Sequence, residues 1–254
     1  MNPDLYDLTK SVIRDTLSTL TLDECKEYAF ATGLFTRNTK LLKGDNLNVG
    51  LELLPADLST KNLCPGAGEC KFTCLAFAGV GNVLTYKRIY NGSLPHPLLA
   101  KCKRTKLFLE DHKFFEELLN IELQAFRRLA EFKKVKLAVR LNVTSDVDWT
   151  KFIQGNPDVT FYSYTKVFNR KELPNHHITY SASEKTSENQ IKKLVSQGKN
   201  VAMIFKNVPT EWKGITVING DENDNRYEDV KGVIVGLKYK VSMGKNPVAP
   251  AILF

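Results

Sequence analysis

Residues 187–205 read Ser187-Glu-Asn-Gln-Ile-Lys-Lys-Leu-Val-Ser-Gln-Gly-Lys-Asn-Val-Ala-Met-Ile-Phe205. Ser187 to Gln197 is a helical pattern, and Gly198 is the residue type that stops a helix. Val201 to Phe205 then runs almost continuously apolar, as a strand covered on both faces does. Helix, stop, buried strand is the repeating unit of an α/β protein.

Working outward, short apolar, β-branched runs recur at Val135–Leu141, Val159–Tyr164, Ile178–Ala182, Ile215–Ile218 and Val233–Leu237. Strands separated by helical stretches at this spacing predict a parallel sheet joined by right-handed crossovers. The expected fold is α/β, a partial or irregular (β/α) barrel; an open doubly wound sheet is the alternative. Residues 1–45 form an N-terminal helical segment, in which Thr21 and Asp23 can cap a helix over Glu24 to Thr32. Residues 47–54, LNVGLELL, read as extended. From Leu98 to Phe132 the pattern turns helical: Phe114, Leu118, Ile121 and Ala125 form one stripe, and Phe115, Leu119, Glu122 and Phe126 a neighbouring one. No repeat or linker divides the chain, so 1–254 is read as a single domain.

The strand ends share a polar character: Asn142, Thr144, Ser145 and Asp146; Thr165 and Lys166; Ser181 and Ser183; Lys206 and Asn207; Asn219 and Asp221; Lys238. Ligands bind at the carboxyl edge of such sheets. Turns are polar everywhere, which accounts for part of this pattern. Arg140, Asp146, Tyr164 and Lys166 are the expected cavity residues, because bulky or charged groups there border a buried strand.

Four of the five cysteines fall between 64 and 102. The core, Cys64-Pro-Gly-Ala-Gly-Glu-Cys70-Lys-Phe-Thr-Cys74, has C-x5-C-x3-C spacing and lies in an expected metal-binding loop over 60–105. Zinc sites tend to pair cysteines at short spacing with a second matching pair, which this chain lacks. Its four histidines do not complete one, and the adjacent His176 and His177 point to opposite faces of an extended segment. Three thiolates in one compact loop suit an iron–sulfur cluster, expected as a four-iron cubane, and Gly66 and Gly68 let the backbone approach it. Cys102 is the expected fourth ligand, with an open iron as the alternative. Cys25 reads as a small buried thiol.

Other motifs are negative. No phosphate-binding loop, metalloprotease helix or nucleophile elbow is present, and Gly79-x-Gly81 lacks the third glycine of a dinucleotide loop. Asp221 to Asn225 fails as a calcium loop because Arg226 and Gly232 occupy the places of its glycine and glutamate. Asp221, Asp224 and Asp229 read as a polar turn rather than a magnesium site. The net charge of +8 admits nucleic acid or an anionic cofactor, but the basic residues are dispersed. Lys101-Cys-Lys-Arg-Thr-Lys106 is read as solvated or cofactor-facing rather than as a DNA-binding arm. No run approaches the ~18 apolar residues needed to span a bilayer, and residues 1–15 carry no apolar run of signal-peptide length. The expected compartment is a reducing cytoplasm, so Asn91-Gly-Ser93 and Asn142-Val-Thr144 are read as loop and strand-end residues rather than glycosylation sites.

Taken together, Cys64-Pro65-Gly66-Ala67 with Cys70 and Cys74, Arg140-Leu-Asn-Val-Thr-Ser-Asp146, Phe161-Tyr-Ser-Tyr-Thr-Lys166, and Asn219-Gly-Asp221 with Asp224 and Arg226 resemble a phage-encoded family, the mycobacteriophage gene-product-eighty-eight type. The resemblance implies a viral protein in the host cytoplasm and supplies no reaction. A more distant likeness to radical-SAM enzymes lies in three cysteines ahead of a (β/α) sheet. Those enzymes use CxxxCxxC, and no glycine-rich SAM-binding run is found, so SAM is left open and not predicted. The expected function is that of an iron–sulfur protein, a redox or radical-type enzyme acting on a small molecule, whose partners are that molecule or a redox protein. The alternative is a zinc-stabilised accessory protein that binds nucleic acid.

Overall fold

The computed structural model describes residues 3–37, 41–43, 45–77, 87–239 and 254. Residues 78–86 of the expected metal-binding loop, including Gly79 and Gly81, lie outside that set.

Two helices open the chain, α1 (Pro3–Thr19) and α2 (Leu22–Thr32). Thr21 is the N-cap of α2: its side chain accepts from the Glu24 amide while the Glu24 carboxylate accepts from the Thr21 amide. Cys25 of α2 is buried, as expected. The helical pattern over 98–132 is two helices, α3 (His96–Glu110) and α4 (His112–Lys133), because Asp111 leaves the helical conformation and caps α4 through the Phe114 amide. On α4 the buried stripe holds Phe115, Leu118, Leu119 and Leu123, whereas Ile121 faces solvent. Short α5 (Thr150–Gln154) and α6 (Glu188–Ser196) follow. Ser187 and Gln190 form a capping box at the start of α6.

The sheet has nine strands: β1 (Phe35–Thr36), β2 (Leu47–Leu51), β3 (Leu137–Arg140), β4 (Thr160–Thr165), β5 (His176–Ser181), β6 (Asn200–Phe205), β7 (Glu211–Trp212), β8 (Ile215–Asn219) and β9 (Ile234–Lys238). Its order is β1-β2-β3-β4-β5-β6-β9-β8-β7. Strands β2 to β6, β9 and β8 pair in parallel, and two-residue antiparallel strands, β1 and β7, form the edges. Among the described residues no pairing joins β1 to β7, so the sheet is open and the expected barrel is not closed. Neither is it doubly wound, since β2 to β6 follow chain order without reversal.

That order places α4, α5 and α6 on one face. Register aligns Val49 with Val139, Val139 with Phe161, Tyr180 with Val201, and Val201 with Ile234. The first three pack against α4 and α5, and the others against Ile191 and Leu194 of α6. Alternate residues therefore form the opposite face: Asn48, Ala138, Arg140, Tyr162 and Tyr164. Burying the helix-side chains at about 25 cal/mol per Å² drives the layering, which frees the other face for polar groups.

The adjacent histidines of β5 do face opposite ways. His177 lies against Tyr227, while His176 meets the Ser163 hydroxyl at 2.8 Å. Burial lowers the His176 pKa to about 4, Arg170 and His177 add to the shift, and Asp148 opposes it. Between pH ~6.5 and about 4 the unfolded chain therefore binds the extra proton. Stability should be fully present above that window and fall by up to ~3 kcal/mol as pH drops through it. Denaturant titrations from pH 7 to 4 should show a shallower loss in His176→Asn than in the native protein.

Candidate metal and ligand site

A cavity of about 540 Å³ opens at the carboxyl ends of the strands, with α3 contributing to its wall. That volume is typical of small-molecule sites. Its wall includes Cys64, Cys70 and Cys74 on one side, and Ala182, Ala202, Ile204 and Leu237 on another. Arg140, Asp146, Tyr164 and Lys166 all line it. Of the other polar strand-end residues, Asn142, Thr144, Ser145, Thr165, Ser181, Asp221 and Lys238 line it too, whereas Ser183, Lys206, Asn207 and Asn219 do not.

The cysteine loop is a series of tight turns after β2. Ala67 donates to the Cys64 carbonyl and Cys70 to the Ala67 carbonyl, leading into 3-10 turns over Gly68–Thr73 and Leu75–Phe77. Gly68 has φ +48°, and an added Cβ there would strike the Glu184 carboxylate, which accepts from the Glu69 amide. A Cβ on Gly66 would lie 2.6 Å from the Lys166 Cβ. Gly66→Ala should therefore cost about 1–3 kcal/mol by overpacking, read as a lower denaturation midpoint.

The loop seats on the segment that follows β3 through polar contacts. The Asp146 amide donates to the Leu63 carbonyl (2.8 Å), and the Cys64 thiol points at the Thr144 carbonyl (3.6 Å). Burial pushes the Cys64 thiol up to about 11 and raises Cys74 as well; each is raised further by the neighbouring thiol of Cys70. The three thiols thus share one electrostatic environment. Among the described residues no three His, Cys, Asp or Glu side chains converge as ligands of a single metal ion do.

Cys102 lies elsewhere. It is fully buried on α3 among Leu5, Leu17, Leu54 and Leu98, a cluster against which Cys74 also packs. Burial raises it to about 12, with Cys25 as its nearest thiol influence. It does not line the cavity. Helix geometry explains this: the preceding residue, Lys101, projects to the cavity and pairs with Glu52 at 2.6 Å, and consecutive helical residues point about 100° apart. The later part of the expected loop is therefore helix, and Cys102 is part of its core.

A sequence model of the gene product 88 family matches residues 33–246, most of the chain. The chain belongs to the gene product 88 family. No curated protein and no solved structure matches it significantly. The gene product 88 match spans the cysteine loop and the seven parallel strands, so the cavity lies wholly within it. The radical-SAM likeness has no counterpart in these comparisons.

Several residues that shape this gene product 88 cavity escaped the sequence reading. Asp224, read as a polar turn, is fully buried and takes both oxygens to Arg140 Nη1 at 3.1 and 2.9 Å. The Tyr162 hydroxyl donates to it at 3.2 Å, and the Arg140 guanidinium lies 4.7 Å from the Tyr164 ring. Burial alone would lower the Arg140 pKa, but Asp224 outweighs it and the net shift is upward. Glu52 carried a signal, a carboxylate in an apolar extended run. Arg170, the partner of Asp146, carried none.

Proposed function

We propose that the three-cysteine loop holds an iron–sulfur cluster, probed as a four-iron cubane, at the mouth of a small-molecule cavity, and that the protein is a redox or radical-type enzyme. The observation that carries this reading is the placement of Cys64, Cys70 and Cys74 together on the wall of the strand-end cavity. A cluster binds its thiolates through separate irons, so donors ring it instead of converging on one point, and the loop suits that arrangement better than a single zinc. Gly66 and Gly68 pack on Lys166 and Glu184, which seats the loop on the cavity wall. With Cys102 in the core, three protein ligands leave one iron for a molecule in the cavity. When bound, the cluster would supply electron transfer at that position, while Arg140, Tyr164 and Lys166 shape the space for the substrate.

The nucleic-acid alternative loses its densest basic run. Lys101 pairs with Glu52 and Lys106 with Glu110, while Lys103 and Arg104 lie over the Tyr28 ring. Anaerobically purified protein should be brown, with iron and acid-labile sulfide in comparable amounts. Colourless protein with one stoichiometric zinc would overturn the proposal and favour the accessory-protein reading.

A further inference from the structure

We propose that Ser181 and Ala202 form the floor of a specificity pocket within the cavity, and that this pocket takes an uncharged heteroaromatic ring of the substrate. The inference deepens the proposed function by naming a substrate class. It rests on the small-molecule cavity of that reading and not on its cluster.

The pocket follows from strand register. Side chains alternate along a strand, so on β6 Ala202 and Ile204 share the cavity face, while Val201, Met203 and Phe205 join the apolar cluster of α6. Ser181 of β5 pairs with Ala202, and Ile204 pairs with Leu237 of β9. All four line the cavity. Two small side chains thus stand side by side on adjacent strands, roughly 5 Å apart, and leave a level hollow. Ile204, roughly 7 Å further along β6, and Leu237 beside it wall one side. Tyr164 of β4 walls the other, since its partner on β5 is Thr179, two residues before Ser181. The Tyr164 hydroxyl is buried, so the part of this side chain that meets the cavity is its ring. The Arg140 guanidinium backs that ring at 4.7 Å.

Charge is kept away from this floor. Three of the carboxylates that line the cavity are matched elsewhere: Glu52 by Lys101 at 2.6 Å, Asp224 by Arg140 at 2.9 Å and Asp146 by Arg170 at 2.7 Å. Among the described lining residues, β5 and β6 carry no ionic side chain. A charged group resting on them would give up its water for no counter-charge. One polar atom is offered. The Ser181 side chain makes no hydrogen bond among the described residues, and a hydroxyl can donate or accept. A flat ring with a heteroatom at its edge matches such a floor. Its face covers the two small side chains, Tyr164 is its aromatic neighbour, and the heteroatom meets the hydroxyl.

The test titrates full-length protein, purified anaerobically, with indole and with quinoline, which offer the Ser181 hydroxyl a donor and an acceptor respectively. Cyclohexanol, neutral but not flat, is the control. Binding is followed by saturation-transfer nuclear magnetic resonance, with melting and iron content recorded on the same samples. At least one ring should bind the native protein more tightly than cyclohexanol does. Ala202→Leu, which fills the hollow, should weaken that ring about tenfold or more, and Ser181→Ala about three- to tenfold. Should Ala202→Leu melt far below the native protein, Ser181→Ala decides alone. Binding of neither ring, equal binding of cyclohexanol, or a ring affinity unchanged in either folded variant would overturn the inference. Native protein without iron and sulfide refutes the cluster reading instead and leaves the ring result standing.

Discussion

Replacing any one of Cys64, Cys70 or Cys74 by alanine is expected to abolish cluster loading, because two thiolates from the loop cannot hold a cubane against loss of iron. The visible absorption and the iron-to-sulfide content should both collapse, while the far-ultraviolet circular dichroism stays native. The fold should survive because the principal apolar clusters lie on the sheet's helix side and among α1 and α3, and of the three thiols only Cys74 packs against one of them. Cys102→Ala should behave in the opposite way: iron content and spectrum unchanged, stability lower by about 1 kcal/mol for a lost buried atom. Loss of loading in Cys102→Ala would require a movement of α3 toward the loop and would restore a four-cysteine, coordinatively closed centre.

The second large effect is predicted at the other end of the cavity. Asp224→Ala leaves the Arg140 guanidinium, only 13% exposed, without its carboxylate and removes the acceptor of the Tyr162 hydroxyl. Breaking a buried pair in this way costs about 3–5 kcal/mol. Chemical denaturation should show the midpoint falling accordingly. The paired change Arg140→Met with Asp224→Leu should recover much of the loss, since exchanging both charges for apolar groups leaves no ion stranded. A single Asp224→Ala variant within 1 kcal/mol of the native protein would show that water reaches the guanidinium freely.

These sites differ in how far they could be read from sequence, and the differences have physical causes. The seven parallel strands were legible because each contains a short apolar, β-branched run between turn signals. Strands β1 and β7 were not, since two residues carry no periodicity. The break between α3 and α4 was signalled by Asp111, a strong N-cap residue, but the apolar stripes on both sides masked it. Barrel closure depends on the strands' accumulated tilt and stagger, which no local pattern encodes. Cys102 was grouped with the loop by proximity along the chain, whereas the structure buries it on α3 in the cluster against which Cys74 packs. Leu98, Cys102 and Thr105 recur at helical spacing and are all buried, so helical phase assigns Cys102 to the core while chain distance assigns it to the loop. The pairing of Asp224 was hidden for another reason: its partner lies 84 residues earlier, and acids in polar turns are ordinary.

The sheet's order also bears on how the molecule comes to exist on the ribosome. Strands β2 to β6 each pair with the strand made just before, so a nascent chain can lay down the helix-covered layer progressively, without waiting for distant partners. The cavity obeys a different schedule. Its cysteine loop, Arg140 and Lys166 are all synthesised before residue 167, yet Asp224 and Leu237 follow more than fifty residues later. Through that interval Arg140 waits in a half-built wall with no counter-charge, open to water that keeps it solvated. Arrival of β9 and the segment before it completes the enclosure, so a nascent or truncated chain would have its cysteine loop before the far wall of the cavity.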